Sequence, residues 1–88
     1  MNIIKTNHAK QRLQQRGIND QMIEVIENFG ITKYDQKGGI RMMIPKNHIL
    51  ELMKKQPTIK SLLEQVKGIY LVLSAHDHSL VTVGHYYR

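Results

Sequence analysis

Apolar positions follow a helical spacing twice before residue 30 and a strand-like one at the end of the chain. Ile3 and Ile4 suit a short strand or a segment tucked under the first helix. Thr6 or Asn7 can cap a helix over about 8–16, and Gly17 stands where a glycine usually ends one. Within it Ala9 and Leu13 are the inward pair. Asn19 and Asp20 offer a second cap, before Met22, Ile23, Val25, Ile26 and Phe29 at helical spacing and Gly30 as a stop. The spacing predicts a helical hairpin with a short joint at 17–19.

Residues 31–35 and 39–44 flank the turn-rich Gln36-Lys37-Gly38-Gly39, predicting a β-hairpin that Pro45 ends. Asn47 can cap a short helix carrying Ile49, Leu50 and Met53, which Pro57 terminates. Thr58 can cap another, with Ile59, Leu62, Leu63 and Val66 on one stripe and Gly68 as its stop. The firmest β signal is last: residues 69–75 and 80–87 are β-branched and aromatic runs around Asp77-His78-Ser79. The order α-α-β-β-α-α-β-β predicts an α+β fold with helices on one face of an antiparallel sheet. In that fold the N-terminal helical hairpin packs on a small curved antiparallel sheet, and two further helices lie between the β-hairpins.

The 88 residues fit a single domain over 1–88 with one modest core. No cysteine is present, which excludes disulfides and thiolate metal sites. No stretch reaches the ~20 apolar residues of a membrane span, and the opening residues lack a signal-peptide core. A cytoplasmic protein with no membrane partner is the expectation. Thirteen Lys and Arg against seven Asp and Glu give a net charge of +6, which favours a polyanionic partner.

Candidate chemistry concentrates on the first helix. His8, Arg12 and Arg16 recur every fourth residue and share one edge. Guanidinium forks match phosphate oxygens, and an imidazole exchanges protons near neutral pH. Few carboxylates lie nearby to neutralise the arginines, since the second helix holds only Glu24 and Glu27 beyond Asp20. In the last strand, alternation puts Leu80, Thr82, Gly84 and Tyr86 on one face and Val81, Val83, His85 and Tyr87 on the other. With the Val-rich face inward, Thr82 and Tyr86 are exposed, and Gly84 leaves room between them for a ligand backbone. His76-Asp77-His78 supplies too few ligands for a metal and reads as a solvent turn. The run Lys37-Gly38-Gly39-Ile40-Arg41 offers backbone amides to a phosphate without P-loop spacing. Lys54-Lys55 suits the end of a helix dipole.

The segment His8-Ala9-x-x-Arg12-Leu13-x-x-Arg16-Gly17-Ile18 resembles the opening signature of the domain-of-unknown-function family 4258. The following cap and apolar helix, and the closing Leu80-Val81-Thr82-Val83, are similar to that family as well. The family resembles RelE-like and barnase-like ribonuclease toxins, with helices before a curved antiparallel sheet. This chain departs from the compact pattern in placing helices between its hairpins.

The resemblance implies metal-independent endoribonuclease activity, needing neither cofactor nor metal. In that chemistry the ribose 2′-OH attacks the adjacent phosphorus. His8 would act as acid or base, with Arg12 and Arg16 stabilising the phosphorane-like charge and Thr82 and Tyr86 positioning the phosphate. Lys5, Arg41, His85 and Arg88 are further candidates for RNA contact, with His85 a reserve acid/base. A toxin also implies a cognate antitoxin or immunity protein. The competing expectations are a non-catalytic nucleic-acid-binding regulator of phage or mobile-element origin, and an interaction module that pairs a hairpin edge with a partner strand.

Overall fold

Local chemistry sets the first two helices. The computed structural model describes residues 3–86. Helix α1 (Asn7–Arg16) is capped by Thr6, whose hydroxyl accepts from the Ala9 N–H. It ends at Gly17, whose φ of 66° is the left-handed conformation glycine adopts at little cost. Helix α2 (Asp20–Phe29) is capped by Asn19, which accepts from the Met22 N–H. The remaining elements are β1 (Ile31–Tyr34), β2 (Gly39–Met43), α3 (Lys46–Lys55), a 3₁₀ turn (Pro57–Ile59), α4 (Lys60–Gln65), β3 (Ile69–Ser74) and β4 (Leu80–His85). The fold is α+β, as the order of elements predicts.

Two helix starts differ from expectation. Asn47 lies inside the first turn of α3, whose N-cap is Pro45 and which has no side-chain cap. Thr58 lies within the 3₁₀ turn that leads into α4. The fixed φ of Pro57 suits the first position of that turn.

The strands form one open antiparallel sheet in the order β1-β2-β3-β4. Ile40 faces Leu73, Met42 faces Leu71, and Leu71 faces Val83, so these residues share one face. That face joins Ala9, Leu13, Met22, Ile26, Ile49 and Leu63 in a single core. Ile26, Leu63, Leu71 and Leu80 are fully buried, each contributing about 1.5–3 kcal/mol of apolar transfer. Helix α1 packs on β4, whereas α2 packs on α4 and β2. The two N-terminal helices thus take different partners rather than chiefly each other.

The last strand departs from simple alternation. Leu73 pairs with Leu80 and Val72 with Thr82, which leaves Val81 as an extra residue. This bulge resets the side-chain parity, so Leu80 turns into the core beside Val83 instead of sharing the Thr82 face. The edge of β4 is also occupied. Lys5 bridges Leu80 in parallel, with Leu80 N–H donating to Ile4 O at 2.7 Å and Thr6 N–H to Leu80 O at 3.0 Å. This bridge covers the β4 edge at Leu80 alone, and β1 forms the other edge of the sheet.

Candidate functional site

The sheet face turned away from the core carries Lys33, Arg41, Met43, Tyr70, Val72, Ser74, Thr82 and Gly84. Only Gly84 among them is buried. Register places Lys33 opposite Arg41, Arg41 opposite Val72, and Val72 opposite Thr82, so one line crosses all four strands. The Arg41 guanidinium lies 4.6 Å from the centroid of the Tyr70 ring, a cation–π contact worth about 0.5–1 kcal/mol at an exposed site. Tyr70 in turn approaches Tyr86, with centroids 6.5 Å apart and planes tilted by 37°. A guanidinium and two aromatic rings therefore form a diagonal ladder over the sheet. Beyond it, Lys46, Lys67 and Tyr86 line a hollow of about 260 Å³ with Ile49 and Gly68.

Gly84 explains how the ladder fits. It pairs with Tyr70, and a Cβ there would lie 2.7 Å from the Tyr70 hydroxyl and 2.8 Å from Cζ. The space over Gly84 is thus filled by the protein's own Tyr70 ring, not left for a ligand backbone as strand alternation suggests. The consequence is a strip surfaced by tyrosine beside Thr82.

The Lys37–Arg41 turn folds around Asp35. Its Lys37 and Gly39 N–H groups both donate to Asp35 Oδ1, at 2.8 and 2.9 Å. These bonds, that from Lys37 first, hold the Asp35 carboxyl below its ordinary 3.8. Two of the amides expected to face a phosphate, those of Lys37 and Gly39, are thus already bonded to a carboxylate. Arg41 remains available through its side chain.

In the second turn Ser79 N–H donates to Asp77 Oδ1 at 3.0 Å, which lowers that carboxyl likewise. His76 and His78 are exposed there, and among the described residues no three His, Asp or Glu groups converge on a metal position.

The α1 stripe lies next to β4. Thr6 donates through Oγ1 to Val81 O at 3.3 Å. Helix α1 packs on the core side of the sheet through Ala9 and Leu13, whereas Thr82 faces the open side. His8 and Arg16 are exposed and Arg12 is half-buried. No carboxylate forms an ion pair with either arginine among the described residues.

Thr82, Tyr86 and Arg41 share the open face. His85 does not: it pairs with Ile69 and lies on the core-facing side at the strand end. Lys5 is engaged by Asp20 at 3.1 Å. Arg88 and Tyr87 lie outside the described residues.

Sequence reasoning missed Lys33, Tyr70, Lys46 and Lys67. The alternation of Tyr70, Val72 and Ser74 against buried Ile69, Leu71 and Leu73 carries the signal for Tyr70; the others depend on register and on how the crossover helices fold back. Compared with family models, curated proteins and solved structures, the chain matches none. Among the described residues no helix is long and apolar enough to cross a membrane.

Proposed function

We propose that the protein binds single-stranded RNA across the open sheet face and cleaves it without a metal, as a RelE-like, toxin-type endoribonuclease. The observation that carries this reading is the Arg41–Tyr70–Tyr86 ladder on an otherwise uncovered sheet. The half-exposed rings of Tyr70 and Tyr86 leave bases part of a stacking surface that is indifferent to sequence, and flanking cations track the backbone. Lys33 and Lys46 extend the positive charge at the two ends of the ladder, whereas Lys67 is paired with Glu64 at 3.7 Å. A net charge of +6 supports the same partner class.

Cleavage rests on the α1 stripe beside β4. The 2′-OH attacks the adjacent phosphorus, the bond to the 5′ oxygen breaks, and the products are a 2′,3′-cyclic phosphate and a free 5′-OH. One group removes the 2′ proton and another protonates the leaving oxygen. His8 is assigned one of these tasks, and Arg12 and Arg16 meet the charge developing on the phosphoryl oxygens. Thr82 and Tyr86 hold the phosphate against the strand. A cognate antitoxin belongs to this reading, as does membership of the family whose His8–Ile18 signature the chain resembles.

Denaturing gels of total RNA incubated with the purified protein in EDTA test the reading. Discrete fragments ending in cyclic phosphate are expected. Intact RNA together with tight RNA binding would select the non-catalytic regulator, which the ladder alone suffices to support. Intact RNA without binding would remove both.

A further inference from the structure

The helical side of the molecule carries a groove of opposite character to the sheet face. Two adjoining hollows of about 470 and 350 Å³ share Ile3 and Glu27. The second is floored by Met42 and Leu73 from the core-facing side of the sheet and walled by Ile4. Ile4 is 77% exposed, the most exposed of the large apolar residues described. Asp20, Glu24, Glu27 and Asp77 rim the two hollows, four of the seven acidic residues in the chain. Only Lys5 and His78 oppose them there, and Lys5 is already paired with Asp20 at 3.1 Å.

Nothing in the fold accounts for Glu24 and Glu27. Neither has an ion pair among the described residues. Glu27 lies in the last turn of α2, at the negative end of its dipole, and that turn holds no basic residue. Asp20 and Glu24 are four apart on the helix, a repulsive spacing for like charges. In a chain of net charge +6, the unpaired Glu24 and Glu27 beside the exposed Ile4 have a complement of defined chemistry.

We propose that the groove docks a basic, apolar segment of a protein partner. An aliphatic side chain of that segment enters between Ile3, Ile4, Met42 and Leu73, and its Lys or Arg residues meet Glu24, Glu27 and Asp77. Burial supplies affinity, and the charges fix orientation and exclude nucleic acid. The groove and the tyrosine ladder lie on opposite sides of the sheet, so a partner held here leaves the open face uncovered. This inference does not rest on the RNA reading.

The test uses isotope-labelled protein and a short peptide of alternating Lys and Leu, with a Glu and Leu peptide as control. The Lys peptide is expected to shift amide signals of residues 3–5, 20–27 and 77–78, and the Glu peptide to shift none. A Glu24→Lys/Glu27→Lys variant should bind at least ~10-fold more weakly, as should Ile4→Asp, whereas Arg41→Ala should bind as the parent does. All replaced side chains are exposed except that of Glu27, which is half-buried, so dichroism and melting confirm the fold of each variant. Three outcomes overturn the proposal: no shifts at the groove, equal binding by the groove variants and the parent, or the same shifts arising on concentration without peptide, which would make a second copy the occupant.

Discussion

The Tyr70 ring lies over Gly84 on the neighbouring strand, so close that a methyl group on Gly84 would meet the phenol at 2.7 Å. This one cross-strand pair makes the open face a tyrosine surface and sets the distances to Arg41 and Tyr86 on either side.

Gly84→Ala should therefore displace the Tyr70 ring and destabilise the fold by at most about 1–3 kcal/mol, the usual scale of overpacking. In a Tyr70→Ala background the same substitution should cost less than about 0.5 kcal/mol, because the clash has gone. Urea unfolding of the four proteins in this cycle provides the measurement. Equal costs in both backgrounds would dissociate Gly84 from the ring.

His8→Ala and Arg12→Ala should each lower RNA cleavage at least ~100-fold, the scale of losing an acid–base group or a charge stabiliser. His8 is exposed and α1 keeps its Thr6 cap, so dichroism and melting temperature of that variant should match the parent. Rates from initial cyclic-phosphate formation check the point. Parental rates in both variants would take the α1 stripe out of the reaction.

The acid limb of stability should depend on the two turns. Asp35 and Asp77 are both held below their ordinary 3.8 by backbone N–H donors, from Lys37 and Ser79 respectively. A carboxyl lowered in the folded state stabilises it above the unfolded value, and the contribution disappears as pH falls through the folded value. Melting temperature should thus hold from neutrality down to the region of 3.8 and drop below it. Asp35→Asn/Asp77→Asn should melt lower at neutral pH and show a shallower acid decline. Parallel curves for variant and parent would separate these carboxylates from acid stability.

Features fixed within a few residues are legible in the sequence. Thr6, Gly17 and Asn19 cap and stop helices at the positions their residue types favour, and the β-rich last 20 residues form the expected pair of strands. What escapes is set by distant pairing. The bulge at Val81 reverses the parity of Leu80, and only the register with Leu73 reveals it. Asp35 binds the amides of its own turn, which a search for phosphate-binding amides overlooks because a nearby carboxylate fills the same geometry. The Arg41–Tyr70 contact joins residues on neighbouring strands that 28 intervening positions separate, so no local pattern encodes it. His85 illustrates the converse: alternation assigned it to the inner face, and its pairing with Ile69 agrees.

The most direct measurement is fluorescence anisotropy of a labelled single-stranded RNA titrated with the protein over a series of salt concentrations. Arg41→Ala/Tyr86→Ala should weaken binding at least ~10-fold, given ~1–3 kcal/mol per stacked base, with the fold intact. It should also flatten the logarithmic salt slope by about 0.7, the loss of one phosphate contact to a single strand. Unchanged affinity and slope in the double variant, or no binding by the parent protein even at low salt, would contradict RNA recognition by the open sheet face.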